Sequence, residues 1–383
     1  MKKSVQTIYF LWITLFLLLP VLVFLLVRGR LDTANYENRE LALFPSVKAA
    51  DIGQFPKGFD DWFSDHLPYR NQLLTLNGLF DYRVLKSSGN DSVLVGKDGW
   101  LFYKGSQVNG EDPVADYEGT NLFTEDELRT IADNMLDARR TLQQELPFYS
   151  DFVIYIAPNK ERVYSEYMPD SYGEPSPGRM QQVIDYLRSH TDLKVVTPLD
   201  DLIAYKVQNP DTPIFFKYDT HWNELGAYIG AKSLNEALGK TQPDPSDITL
   251  VDGGQGTFDL ARLIHLGKIL YKDHAYVPFD YTPYHIEAEG NDSHTEYRFY
   301  NSVGDGDHSK LMIIGDSFSS FLSPYVACQY NNAYTCFYYN YNRDMLAQET
   351  PNVVVYETVE RYLGNMLDFS LETGIGGSSK AGL

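Results

Sequence analysis

Two short stretches carry the residue types that nucleophilic catalysis needs: Asp219-Thr220-His221-Trp222 and, further along the chain, Gly315-Asp316-Ser317. Side chains at i and i+2 of an extended segment point to the same face. Asp219 then bonds one ring nitrogen of His221 and leaves the other free. A serine at that free nitrogen completes a set of nucleophile, base and orienter, and Ser317 is the candidate. Each piece alone has an ordinary reading. Asp-x-His is often a local ion pair on a surface loop, and a serine after an apolar strand is often a helix cap. Together, and at strand ends, they favour chemistry. His274 and His66 directly follow Asp273 and Asp65, but neighbours in an extended strand face opposite ways.

The elements that must position these residues begin near residue 120. Thr124 followed by Glu127 is a capping box that opens a helix of about 20 residues. Phe152 to Ala157 reads as an apolar strand, residues 178–190 as a helix, and Lys194 to Thr197 as a strand. Ile214 to Lys217 reads as a further strand that delivers the chain into Asp219. Asn223 caps a helix running to Leu238, and Leu311 to Ile314 is a strand ending at Gly315. A helix then runs to Val326, followed by a strand at Tyr334 to Tyr339, a helix at 343–349 and a strand at Val353 to Tyr356. Short apolar strands alternating with helices imply an α/β fold with a mostly parallel sheet covered on both faces. Sites in such sheets form at the carboxyl ends of strands, where both motifs fall. Residues 240–310 break the rhythm and read as an insertion within a domain spanning 121–369.

Upstream, residues 31–55 read as a polar stalk. Residues 56–86 read as a helical segment broken near Pro68, and Val93 to Tyr103 as a hairpin turning at Asp98-Gly99. The Gly/Ser-rich stretch 370–383 reads as a flexible tail. Residues 8–27 form an uncharged run of the length that crosses a bilayer, with residues 1–30 as a cytoplasmic stub plus signal anchor. Lys2 and Lys3 precede the run, Arg28 and Arg30 follow it, so flanking charge orients it weakly. The rival reading, a cleaved signal peptide, lacks a small-x-small site, since Asp32-Thr33-Ala34 begins with an acid. The reading is a single-pass cell-membrane protein with its body outside the cytoplasm; a cytoplasmic body is the alternative. The chain has 383 residues, 43% apolar, and a formal charge of −20, without a basic stripe, which argues against nucleic acid. Cys328 and Cys336 either pair or are two buried thiols. No Cys-x-x-Cys or His-Glu-x-x-His spacing suggests a metal.

Gly-Asp-Ser resembles the nucleophile block of the SGNH hydrolases. The order here, with Asp219-Thr220-His221-Trp222-Asn223-Glu224-Leu225-Gly226 ahead of Gly315-Asp316-Ser317-Phe318, is permuted, with Asp-x-His in place of Asp-x-x-His. That arrangement resembles the AlgX/AlgJ-like, DHHW-type polysaccharide O-acetyltransferases. Further matching segments are Asn38-Arg39-Glu40-Leu41 to Phe44-Pro45, Asp65 to Arg70, Gly99-Trp100-Leu101-Phe102, Ala157-Pro158-Asn159-Lys160 with Tyr164, and Glu357 to Arg361. The resemblance implies a three-layer SGNH-like domain with Ser317 as acyl-accepting nucleophile, His221 as base and Asp219 as orienter. It also implies Asn159 as an oxyanion donor, against a plain turn there. Trp222 reads as packing rather than binding sugar, and Arg361 as an internal salt bridge rather than a carboxylate anchor. The 29 tyrosines suit a carbohydrate cleft or an ordinary core.

The activity so implied is transfer of acetyl groups to an exopolysaccharide or cell-wall polysaccharide through an acyl-serine. No cofactor is required. The partners implied are the polysaccharide acceptor and a multi-spanning membrane acyltransferase that supplies the donor. An acetylesterase with the same triad, or a non-catalytic scaffold or carbohydrate-binding subunit of an export complex, are the alternatives. The stretch after about residue 365 reads as too short for a separate carbohydrate-binding module.

Overall fold

The computed structural model describes residues 2–27, 29, 40–48, 53–67, 69–105, 111–278, 286–301 and 307–375. Asn38, Arg39, Pro68, most of the stalk and the end of the tail lie outside the described residues. The strands, in chain order, are β1 (Val93–Val95), β2 (Leu101–Tyr103), β3 (Asp151–Ala157), β4 (Lys194–Val196), β5 (Leu250–Asp252), β6 (Tyr276–Pro278), β7 (Ile286–Gly290), β8 (Glu296–Asn301), β9 (Asp307–Gly315), β10 (Tyr330–Phe337), β11 (Val353–Val359), β12 (Phe369–Ser370) and β13 (Gly374–Ile375).

Seven of them form one sheet in the order β4-β3-β11-β9-β10-β8-β7. The pairs from β4 to β10 are parallel; β8 runs antiparallel to β10, and β7 to β8. The sheet is therefore mixed. Part of the segment read as an insertion closes it with a hairpin. Burial explains the division. β11 is buried along its whole length and β3 nearly so, as strands covered on both faces must be. In β8, Phe299 is buried while the next residue, Tyr300, is exposed, the signature of a strand with one wet face.

Alternation along the central strands sends side chains into two apolar layers. Val153, Tyr155, Ile313 and Val355 face helices Glu224–Ala237 and Ser317–Ala327. Ile154, Met312, Ile314 and Val354 face helices Glu125–Glu145 and Arg179–His190. Helix, sheet and helix make three layers. The 125–145 helix starts as its capping box requires. The Glu127 amide donates to Thr124 Oγ1 (3.3 Å), and the Thr124 amide to Glu127 Oε2 (2.7 Å).

Ile214 to Lys217 is not a strand of the sheet. Among the described residues its β-pairing is a single bridge between Phe215 and Trp222. Asn223 N–H donates to Ile214 O and Phe216 N–H to His221 O, so 214–223 folds back on itself as a tight loop. Helix Glu224–Ala237 lies against that loop; a Cβ at Gly226 would stand 2.0 Å from Ile214 O, so only glycine allows the approach. Apolar character there marks burial in a loop, which a short run shares with a strand.

Of the two readings left open for the cysteines, pairing fails: Cys328 and Cys336 are free, the first half-buried and the second buried. Thr335 bonds Ser323 of the Ser317–Ala327 helix, so its neighbour Cys336 points to the opposite face of the sheet. The N-terminal run is helical over Lys2–Val27. Among the described residues, no helix is long and apolar enough to cross a membrane.

Candidate active site

The nucleophile side is built from two adjacent parallel strands. β9 ends at Gly315 and helix Ser317–Ala327 begins two residues on. A Cβ at Gly315 would fall 2.5 Å from Glu357 Oε2 and 2.9 Å from Ser319 Cβ, which explains the glycine. Asp316 caps the helix: Oδ1 accepts from Phe318 N–H (2.9 Å) and Oδ2 from Val359 N–H (2.7 Å). The Asp316 amide in turn donates to Glu357 Oε2 (2.9 Å). The turn carrying Ser317 is thus pinned to the end of β11. Burial raises the carboxyl of Asp316, with Arg361 opposing it, and raises that of Glu357 much further, with Asp316 adding to the effect.

The base side lies on the 214–223 loop. Asp219 Oδ1 accepts from His221 Nδ1 (2.7 Å) and also from the His221 amide (3.1 Å). The i to i+2 approach is therefore a turn closed by the aspartate itself, not an extended strand. His221 Nε2 stands 2.7 Å from Ser317 Oγ. Asp219, His221 and Ser317 converge, although the predicted strand under the first two is absent.

Electrostatics assigns the tautomer. Burial opposes ionisation of Asp219, but the hydrogen bond and charge of His221, with two backbone amides, hold its carboxyl down at about 2. Asp219 is then an acceptor only, so Nδ1 carries the ring proton. That leaves the Nε2 lone pair for the Ser317 hydroxyl. Burial lowers the basicity of His221, Asp219 and Asp259 raise it more, and the net shift is upward from 6.5.

The remaining candidates divide. Asn159 follows β3 at the same sheet end, where Ala157 registers with Val359. Its amide donates to Glu360 Oε2, while both polar atoms of its buried side chain lack a hydrogen-bond partner. Trp222 is fully buried. Its Nε1–H donates to Phe318 O (3.3 Å) and its ring packs on Phe318, so it builds the floor beneath the nucleophile. Arg361 makes no ion pair among the described residues. Its guanidinium lies 5.1 Å from the Phe318 ring, 5.0 Å from Tyr362 and 5.9 Å from Tyr103, and Nε is unpartnered. Aromatic faces take the place of the expected salt bridge.

Sequence reasoning passed over two residues. Lys160 is buried and donates to the carbonyls of Phe216 (3.1 Å), Lys217 (3.4 Å) and Asp219 (2.5 Å), tying down the loop that presents the base. Burial lowers its ammonium to about 8. Its place in Ala-Pro-Asn-Lys was the available signal. Asp259, from the supposed insertion, lies with Asp219 and His221 so that ligand atoms of all three fall within 4.8 Å of one another. Nothing local in the sequence marks it. No metal is implied, because the Nδ1 that such an ion would take already bonds Asp219.

An Asp–His–Ser relay at the carboxyl end of a largely parallel, three-layer sheet defines an SGNH hydrolase-like domain. Residues 93–331 match the family model of the SGNH hydrolase-like domain of the acetyltransferase AlgX, and the chain belongs to that family. It is 26% identical over 192 residues to the probable alginate O-acetylase AlgJ of Pseudomonas putida, covering 49% of this chain and 44% of that protein. The AlgJ of Pseudomonas syringae is 25% identical over 196 residues, covering 50% and 44%. The chain thus spans less than half the length of these curated relatives. Among solved structures, Bacillus cereus PatB1 with a sulfonyl adduct covers 73% of this chain and 99% of its own at a TM-score of 0.50 and 15% identity, a likeness of fold.

Proposed function

We propose that the protein is a membrane-anchored serine O-acetyltransferase that modifies a polysaccharide outside the cytoplasm. The observation that carries the reading is the pair of 2.7 Å contacts, Ser317 Oγ to His221 Nε2 and His221 Nδ1 to Asp219, inside an acetyltransferase-family domain. The names of the AlgJ relatives supply the polysaccharide acceptor. The apolar run 8–27 supplies the anchor. A multi-spanning membrane acyltransferase supplies the donor by family resemblance.

Ser317 Oγ attacks the carbonyl carbon of an acetyl ester or thioester as its proton passes to His221 Nε2. The carbonyl electrons move onto oxygen, and the anion is met by the Ser317 amide and by Asn159 Nδ2, whose hydrogens have no other partner. Collapse restores the carbonyl, breaks the bond to the leaving group and returns the proton to that group. A sugar hydroxyl then attacks the carbonyl of acetyl-Ser317 as its proton passes to His221; the acyl–Oγ bond breaks, His221 returns that proton to Ser317 Oγ, and the sugar leaves as its acetyl ester. Asp219 stays ionised throughout and holds the imidazolium in register.

The test is mass spectrometry of the full chain in detergent after exposure to p-nitrophenyl acetate, then to an oligosaccharide. We expect one acetyl on the Ser317 peptide and its transfer to sugar. Release to water alone would make the protein an esterase. A wild type that takes no acetyl, with Ser317→Ala indistinguishable from it, would leave a scaffold.

A further inference from the structure

The segment between residues 240 and 310 looks like surface elaboration in sequence, yet it grips the base. We propose that Asp259 is a positioning residue for the Asp219–His221 pair. It locks the turn between them and places a second carboxylate beside the imidazole. This inference rests on the reading of His221 as the catalytic base.

The grip is reciprocal. The Asp259 amide donates to Asp219 Oδ2 (2.7 Å), the oxygen that His221 does not use. In return the Asp259 carboxylate takes both hydrogens that Thr220 offers: Oδ1 accepts from Thr220 N–H (2.8 Å) and Oδ2 from Thr220 Oγ–H (2.5 Å). Asp219 and Thr220 are thereby fixed to one residue some forty positions away. The Ala261 amide adds a bond to Tyr218 O, just ahead of the turn. Asp259 Oδ2 stands 3.9 Å from His221 Nδ1. Two carboxylates therefore flank the side of the ring opposite the serine, and both stabilise the imidazolium that forms when Ser317 gives up its proton.

The charged groups around this cluster can be named. Facing His221 are Asp219 and Asp259, which raise its basicity, Arg361, which lowers it, and the buried Asp316 beside the nucleophile. Facing Asp259 are Asp219, His221 and Lys160. Burial and the Asp219 charge push the Asp259 carboxyl up to about 6. Its side chain is 38% exposed, so solvent protons reach it.

Asp259→Asn keeps the backbone amide that holds Asp219 and one of the two acceptors for Thr220, and removes the charge with the second acceptor. Two readouts are needed. The first is the imidazole pKa of His221, followed by NMR in the full-length protein with no substrate. The second is the pH profile of Ser317 acetylation by p-nitrophenyl acetate. We expect the imidazole pKa and the acid limb to fall together by about one unit. Acetylation at neutral pH should drop about tenfold. Thr220→Val should lower the rate with a smaller change in the limb. An imidazole that titrates identically in Asp259→Asn overturns the proposal, whatever the protein's thermal stability. A wild type without acetylation overturns the catalytic reading instead, and the NMR titration still decides the role of Asp259.

Discussion

Ser317 stands on a turn whose bonds come from the sheet beneath it, whereas His221 stands on a loop held by long side chains from elsewhere. On the serine side, Asp316 and Glu357 link the ends of β9 and β11 through backbone amides. On the histidine side, Lys160 takes three loop carbonyls, Asp259 takes Thr220, and Asp273 Oδ2 accepts from the Lys217 amide (2.5 Å). The nucleophile inherits the rigidity of paired strands. The base depends on polar groups that must all be present at once, and a half-satisfied network of this kind is costly.

The contrast is broken most severely at the relay itself. Ser317→Ala should abolish acetyl capture, a loss on the order of a millionfold, while Asp219→Asn should cost about ten-thousandfold by favouring the wrong tautomer. Single-turnover rates check the order; equal losses would contradict the assigned roles. On the base side, Lys160→Met takes the ammonium from the Phe216 and Asp219 carbonyls, while Lys217 O keeps the Leu101 amide, and should cost about 3 kcal/mol of stability together with most of the activity. Urea unfolding with parallel assays would show whether the loop, rather than the whole domain, is what loosens. On the serine side, Gly315→Ala forces Glu357 aside and should cost about 2 kcal/mol.

The pH dependence sharpens the same division. His221 must be neutral to accept a proton and titrates above its ordinary 6.5, so acetylation should rise with pH through a limb above that value. A limb below 6.5 would contradict the role given to the flanking carboxylates. Asp219, held at about 2 against an ordinary 3.8, adds stability that is full above 3.8 and fades as pH falls toward 2. The smallest effect belongs far from both turns. Thr124→Ala removes a helix cap, should cost about 1 kcal/mol, and should leave acetylation unchanged.

How much of this was written locally in the chain depends on what holds each part. The nucleophile turn was legible because an apolar strand, a glycine and a capping acid are neighbours in sequence. The helices at 125–145 and 224–237 were legible from Thr124, Asn223 and the stripes that follow them. The base was legible only as a pair of residues. Asp292-Ser293-His294 has the same spacing as Asp219-Thr220-His221, yet the His294 ring turns to the Asn291 carbonyl instead. Spacing proposes such a pair, and the surrounding fold decides. The 214–217 run imitated a strand because burial and strand formation ask for the same residues over so short a length. Asp259 and Asp273 were illegible because their partners lie some forty to fifty-six residues away, beyond any window that periodicity can read.

The two cysteines lie on opposite sides of the central sheet, one of them sealed in the interior. We therefore expect the domain to mature without an oxidase and to keep its activity in dithiothreitol, an indifference to redox state that suits it equally to an oxidising or a reducing environment.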